Sequence, residues 1–225
     1  ARHVKYAGTP GDLVIRKLTL TTIPTPSPMM ADADTAKPHI NTGQPAAGPA
    51  SYRAEIAPGG GIRMTVGTRQ WLIGSTFSYP NAGLNHLVSN PTANVTSHPE
   101  WSVAVDESGR TANVHAKGPH YRLERTIHFT PRRIDVADTL TNTSRQVPLG
   151  MMVRHAVDLS NAPEATVRLA GNPDPALDIY YSPPNPSVHI ALPDQGLGLI
   201  CEDDVFRNQA RLFCADQGKS AGLNT

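Results

Sequence analysis

The sequence is short of charge, of aromatic rings and of cysteine, and each shortage removes a class of protein. Only 17% of the residues are charged, and 20 Lys and Arg nearly cancel 19 Asp and Glu, leaving a formal net charge of +1. That balance excludes a nucleic-acid binder that works through bulk positive charge, and it excludes a solvating acidic tail. Aromatic residues make up 5% of the chain, with Trp71 and Trp101 the only tryptophans, which is a small supply for a stacking platform. Mean hydropathy is −0.32, and no apolar run approaches the roughly 20 residues that a membrane-spanning helix needs. No basic-then-apolar leader opens the sequence, and a trimmed secreted chain would look the same. Cys201 and Cys214 are the only cysteines. Without a CxxC pair or a Cys/His cluster they do not spell a structural zinc site. They flank a candidate hairpin, so they form a disulfide in an oxidising compartment or two buried thiols in a reducing one.

What is abundant is punctuation. The chain carries 21 Pro and 18 Gly in 225 residues, which predicts many turns and few long helices, while 39% hydrophobic residues suffice for an unaided core. Residues 13–22 (LVIRKLTLTT) read as a first strand. Residues 22–50, rich in Pro, Ala, Thr and Asp, have no sustained period and read as a long surface loop or linker, or as a tether. The expected organisation is therefore residues 1–50 as a strand plus Pro-rich loop, and 51–225 as the main domain, with a C-terminal end (GKSAGLNT) that offers no closing strand and reads as continuing into a longer parent protein.

From residue 51 the hydrophobic period becomes two. Tyr52, Ala54 and Ile56 alternate with polar residues, a PGGG turn follows, and Ile62, Met64 and Val66 resume the alternation, which is a hairpin. Residues 70–73 read as a short strand and 74–100 as an irregular, candidate functional loop. Strands resume around Val103 and Val105 and around Ala112, Val114 and Ala116. The clearest hairpin places Tyr121, Leu123, Arg125, Ile127 and Phe129 on one face, turns at 130–133, and returns with Ile134, Val136, Asp138 and Leu140. Pairing Phe129 with Ile134 and Leu123 with Leu140 sets Arg125 opposite Asp138 on the inner face, and a one-residue slip would undo the whole match. A structural ion pair of Arg125 and Asp138 inside the core is predicted. Further strands are read at 151–159, 166–169, 177–181, 188–192, 197–206 and 211–215. No segment has a helical period, so the fold class is all-β, an antiparallel β-sandwich or barrel.

No P-loop, dinucleotide fingerprint, zincin or nucleophile-elbow motif occurs. Three features remain. His155 stands on an otherwise apolar strand face, where a satisfied core histidine is the ordinary reading. Residues 81–101 bring Asn81, Asn85, His86, His98, Glu100 and Trp101 together, groups suited to sugar hydroxyls and ring faces. Glu202, Asp203 and Asp204 form an acidic run that could take up Ca²⁺, supply a base, or end a strand at a solvated edge. No other cofactor is indicated.

Residues 132–159 (RRIDVADTLTNTSRQVPLGMMVRHAVDL) resemble the central strands of the galactose-mutarotase-like β-supersandwich: a strand of the form I-x-V-x-x-x-x-x-N (Ile134, Val136, Asn142), a proline-containing bend, and a strand carrying a histidine at the place of His155. Residues 76–101 are loosely similar to the family's sugar-contacting loop. The overlap covers about residues 60–215, its specific part lying within 135–158. The resemblance implies a carbohydrate-active protein, with His155 on a concave, sugar-facing side as acid, Glu202 as base, and His86, Asn81, Asn85, Trp101 and Arg154 contacting the sugar. General acid–base work of this kind needs two groups on opposite sides of the ring. The His-Gly-Gly motif of true mutarotases is absent, since His86 is followed by Leu87 and Val88. The expectation is thus an accessory sandwich domain beside a catalytic domain of the same parent chain, in a secreted or periplasmic glycoside hydrolase or polysaccharide lyase. The partners are an oligo- or polysaccharide and that catalytic domain, without nucleic acid or membrane span. The alternatives are a self-sufficient sugar hydrolase, lyase or epimerase, and a non-catalytic structural or adhesion sandwich.

Overall fold

The computed structural model describes residues 13–23, by their backbone path alone, together with 52–144, 150–172, 186–202 and 208–224. Among these residues the protein is all-β, with a helical stretch only at 208–209. In chain order the strands are β1 (Leu13–Ile23), β2 (Arg53–Ile56), β3 (Ile62–Val66), β4 (Arg69–Tyr79), β5 (Gly83–Leu87), β6 (Ser102–Ser108), β7 (Thr111–Lys117) and β8 (Tyr121–Phe129). They continue with β9 (Arg133–Asn142), β10 (Val153–Asp158), β11 (Thr166–Leu169), β12 (Ser187–Ala191), β13 (Gly196–Cys201), β14 (Arg211–Ala215) and β15 (Ser220–Asn224). The larger sheet has eight strands in the order β11-β12-β13-β1-β9-β8-β7-β6; the smaller has seven, β14-β15-β10-β4-β3-β2, with β5 also on β4. The first half of β4 pairs with β3 and the second half with β5.

Alternation decides which way each strand faces. The inward set includes Leu123 and Ile127 of β8, Ile134, Val136 and Leu140 of β9, Trp71, Ile73 and Phe77 of β4, and Val153 and Val157 of β10. These join in one core between the sheets. The hairpin of β8 and β9 has the register read from the sequence, with Phe129 opposite Ile134, Leu123 opposite Leu140 and Arg125 opposite Asp138.

Polar side chains tie the sheets together at three levels along β8. Beyond its end, the Tyr52 hydroxyl lies 2.7 Å from the carbonyls of both Thr130 and Arg133. At its start, Asn85 of β5 donates to the Tyr121 hydroxyl at 2.8 Å, and that hydroxyl donates to the Phe77 carbonyl at 3.3 Å. Burial pushes both phenols up to about 12. In the middle sits Arg125, whose guanidinium lies 5.8 Å from the Phe77 ring centre across the interface.

The structure departs from the sequence reading in three places. Residues 74–87 are not a loop: β4 runs on to Tyr79 and β5 follows. Their inward positions include Ser75 and Asn85, both buried, and these polar residues interrupt the apolar alternation that would have announced the strands. The C-terminal segment, expected to lack a closing strand, forms β15 between β10 and β14. Its composition, SAGLN, has little β propensity, so tertiary context decides it: Ala221 and Leu223 are fully buried, and a side chain at residue 222 would collide with the His155 carbonyl. Thirdly, β1 lies between β13 and β9, so residues 13–23 are built into the larger sheet rather than set apart with the segment that follows. Cys201 and Cys214 are buried thiols, one in each sheet, and the disulfide that was one of the two readings is not formed. The expected loop at 24–50 and the candidate strand at 177–181 lie outside the described residues.

Candidate functional site

The histidine nominated from the sequence faces the interior. His155 is 2% exposed, and its Nδ1 shares a hydrogen bond of 2.9 Å with the Ser75 hydroxyl on the neighbouring strand. Across the interface, Arg125 and Asp138 form a bidentate pair, Nε to Oδ1 and Nη2 to Oδ2, both at 2.7 Å, with both side chains 2% exposed. Two parallel charge-assisted bonds satisfy the pair where solvent cannot. Burial first, and then the Arg125 charge, push the His155 pKa down to about 4, against the opposing pull of Asp138. A neutral imidazole locked to Ser75 in a closed core is not a sugar-facing acid. The reason lies in the pattern that nominated it: the apolar alternation of β10 marks the core side, and a core side is closed.

Glu202 is not brought to His155. It follows β13 in the larger sheet, is exposed, and its carboxylate lies 3.6 Å from the Arg133 guanidinium, whose Nε is also 3.3 Å from Asp135. His155 belongs to the smaller sheet and points at the interior. An acid and a base flanking one sugar ring are therefore not assembled from these two residues. Asp203 and Asp204, the rest of the acidic run, lie outside the described residues.

The residues proposed to contact sugar divide into two groups. Asn85 is 1% exposed and spends both ends of its amide on the fold: Nδ2 on Tyr121, and Oδ1 on the backbone N–H of His98 at 3.0 Å. Trp101 donates its indole N–H to the His86 carbonyl at 3.1 Å and packs edge-on against Tyr121. Both hold residues 97–101 along β5. Asn81 is exposed in the turn between β4 and β5, with φ of 67°.

His86 and Arg154 form the second group, and the register unites them. Thr76 pairs with His86 on one side and with Arg154 on the other, Arg154 pairs with Asn224, and Asn224 pairs with Arg211. The result is a row across the outer face of the smaller sheet: His86, Thr76, Arg154, Asn224, Arg211. Successive strands stand about 5 Å apart, so His86 and Arg154 are separated by about 10 Å. His86 Nδ1 bonds the Thr76 hydroxyl at 3.2 Å, and burial lowers its pKa, so it is neutral at pH 7 and offers a second ring nitrogen for hydrogen bonding. The Arg154 guanidinium lies over the Phe213 ring at 3.9 Å. The Asn224 carboxamide oxygen is buried without a hydrogen-bond partner. The next row across the same face is Gly74, Ala156, Gly222 and Phe213; the small Gly74 and Ala156 are half-buried, whereas Gly222 and Phe213 are buried.

Thr76, Asn224, Arg211 and Phe213 escape sequence reasoning because strand pairing, not proximity in sequence, unites them. The signal that could have found them is the outward half of each alternation, the positions opposite the core residues. A separate open cleft of about 560 Å³ lies between edge strands β2 and β6, lined by Glu55, Ile56, Pro58, Val103, Val105 and Glu107. It contains none of the nominated residues. Within it Glu107 is committed to the Ile56 N–H at 2.7 Å and Glu55 to Arg63 at 2.9 Å. No protein-family model matches the chain, and neither a curated protein nor a solved structure matches it.

Proposed function

We propose that the protein is a carbohydrate-binding β-sandwich domain that receives a glycan on the outer face of the smaller sheet. The observation that carries the reading is the cross-strand row of His86, Thr76, Arg154, Asn224 and Arg211 beside the small Gly74 and Ala156. A sugar presents alternating hydroxyl donors and acceptors around an apolar ring, and the row supplies a neutral imidazole nitrogen, a hydroxyl, a carboxamide and guanidinium edges at strand spacing. Gly74 and Ala156, both half-buried and small, let a flat ring approach the sheet beside Thr76. The resemblance to the galactose-mutarotase-like supersandwich, carried by residues 132–159, agrees with the all-β sandwich architecture and favours a place beside the catalytic domain of a larger secreted or periplasmic glycoside hydrolase or lyase. The binding role belongs to outward residues, and the buried group of Ser75, His155, Arg125 and Asp138 serves the fold.

The test is a glycan array followed by titration of the best binder against wild type, His86→Ala and Arg154→Met. Each substitution is expected to raise Kd about tenfold or more, roughly 1.4 kcal/mol per factor of ten. Failure of every glycan to bind, or full binding by both variants, would refute the reading.

A further inference from the structure

The geometry points to the cleft between β2 and β6 as the docking site of an extended peptide segment, in which apolar side chains alternate with Lys or Arg and which adds to β2 as a further strand. This inference is independent of the glycan reading and uses none of the residues of the glycan row.

The two flanks of the sandwich differ. At one flank the terminal strands β11 and β14 pack together, and their inward residues Val167, Leu169, Leu212 and Cys214 are buried. At the other flank the terminal strands are β6 and β2, with the open cleft of about 560 Å³ between them. The register sets Val103 opposite Ala116 and Val105 opposite Val114, so both valines of β6 face inward beside buried neighbours. Yet both are only half-buried. The inner face of β6 therefore lacks the apolar cover that closes the opposite flank. β2 supplies a hydrogen-bonding edge beside it. Ala57 donates to the Gly61 carbonyl at 2.8 Å, on the side of β3, whereas Ile56 donates away from β3, to Glu107 Oε1 at 2.7 Å. In an antiparallel ladder the N–H and C=O of one residue share a side, and the side alternates along the strand. Ala54 and Ile56 thus turn both backbone groups toward the cleft, where no further strand of the sheet follows β2. An edge of this kind accepts an added strand. Glu107 occupies one of its donors, in the place that a carbonyl of the added strand would take.

Charge selects the occupant. The cleft is lined by the carboxylates of Glu55 and Glu107 and, among the described residues, by no Lys or Arg. Asp106, next along β6, is exposed as well. Glu55 lies on the outer face of β2, where Arg63 holds its Oε1 at 2.9 Å, and Arg53 is the cation of β2 itself, two residues away. Side chains of a strand added to β2 alternate between two faces. The inward ones would cover Val103 and Val105, and the outward ones would stand beside Glu55. A peptide carbonyl that takes over the Ile56 N–H releases Glu107 to pair with a basic side chain. An acidic segment would meet the carboxylates of Glu55, Asp106 and Glu107 instead, and an uncharged one would leave the released Glu107 without a counter-charge.

The experiment titrates the full chain into a fluorescein-labelled heptapeptide of alternating lysine and valine, and into its serine–valine and glutamate–valine counterparts, with fluorescence polarisation as the readout. The lysine peptide is expected to bind about tenfold or more tightly than the serine peptide, with an affinity that falls as NaCl rises, and the glutamate peptide is expected to bind weakest. Glu55→Gln and Glu107→Gln, both at exposed positions, should each weaken the lysine peptide about two- to fivefold, the range of single exposed ion pairs. Ala54→Pro removes an edge donor that β3 does not use, and it should weaken every peptide about tenfold or more. If that variant fails to fold, amide chemical-shift mapping of wild type with the lysine peptide carries the test, with the largest changes expected at Ala54, Ile56, Val103 and Val105. Equal binding of the lysine and serine peptides, binding unaffected by Ala54→Pro, shifts centred away from the cleft, or no binding by any peptide would each overturn the inference. Self-association of the chain alone that Ala54→Pro abolishes would assign the cleft to a second copy and overturn it too. None of these outcomes touches the glycan face.

Discussion

A histidine that is 2% exposed and bonded to Ser75 has a cost that depends on pH. The groups that act on His155 are the Arg125 guanidinium, which lowers its pKa together with burial, and the Asp138 carboxylate, which raises it; the outcome is a pKa of about 4 against 6.5 unperturbed. An unfolded chain takes up a proton near pH 6.5 and the folded one only near pH 4, so unfolding binds a proton throughout that window. Stability therefore rises with pH from about 4 to 6.5, and this residue accounts for up to about 3 kcal/mol of the change. Burial lowers the pKa of His86 and His189 too, which adds in the same direction. Urea titrations at pH 7 and pH 4.5 should show a larger loss for wild type than for His155→Gln, and equal losses would contradict the assignment. The ion pair invites a second experiment. Arg125→Met or Asp138→Leu alone should cost about 3–5 kcal/mol, because each strands an uncompensated buried charge, whereas the double variant should cost less than the sum of the two. Additive losses in a double-mutant cycle would mean that the two charges act independently.

Between residues and sheets stand β4, β5 and the segment that leads from β5 to β6. Their recognition from sequence was partial for a physical reason. The hairpin of β8 and β9 is legible down to its register because one polar residue on each inner face meets its opposite, so that the exception confirms the pattern. In β4 and β5 the inward polar residues, Ser75 and Asn85, find their partners on other strands, and no local pattern can reveal a partner 80 or 36 residues away. The candidate site suffered more. Of the nominated residues, His86 and Arg154 share a face, Asn85 and Trp101 hold up the scaffold beside it, and His155 and Glu202 are kept apart. The membership of a cross-strand row is set by five strands at once, and only the register supplies it. Asn85 also offers a test at this scale. Replacing it with Ala frees the Tyr121 hydroxyl and the His98 N–H together, at a cost of roughly 1–3 kcal/mol for groups left unsatisfied. Limited proteolysis should then cut within residues 88–101 at a protease concentration that leaves wild type intact, and an unchanged digestion pattern would show that the segment is held by other means.

At the scale of the whole molecule, distant parts of the chain pair inside each sheet. β1 sits between β9 and β13, and β15 sits between β10 and β14, so long-range pairing supports both layers. Truncation after Gly218 removes β15 and the buried Ala221 and Leu223, and it exposes an edge of β10. The shortened chain is expected to lose cooperative thermal unfolding, and a sharp transition near that of wild type would contradict the placement of β15. The same strand carries Asn224 on its outer face, so the sandwich and the proposed glycan site depend on one element. The central claim is that this outer face receives the glycan. Its most direct test is amide chemical-shift mapping of the folded protein titrated with the glycan that binds best. The account predicts the largest changes at Gly74, Thr76, His86, Arg154, Ala156, Gly222 and Asn224, with the cleft between β2 and β6 unmoved. Changes centred on Ile56, Val103 and Val105, with the cross-strand row unmoved, would contradict it.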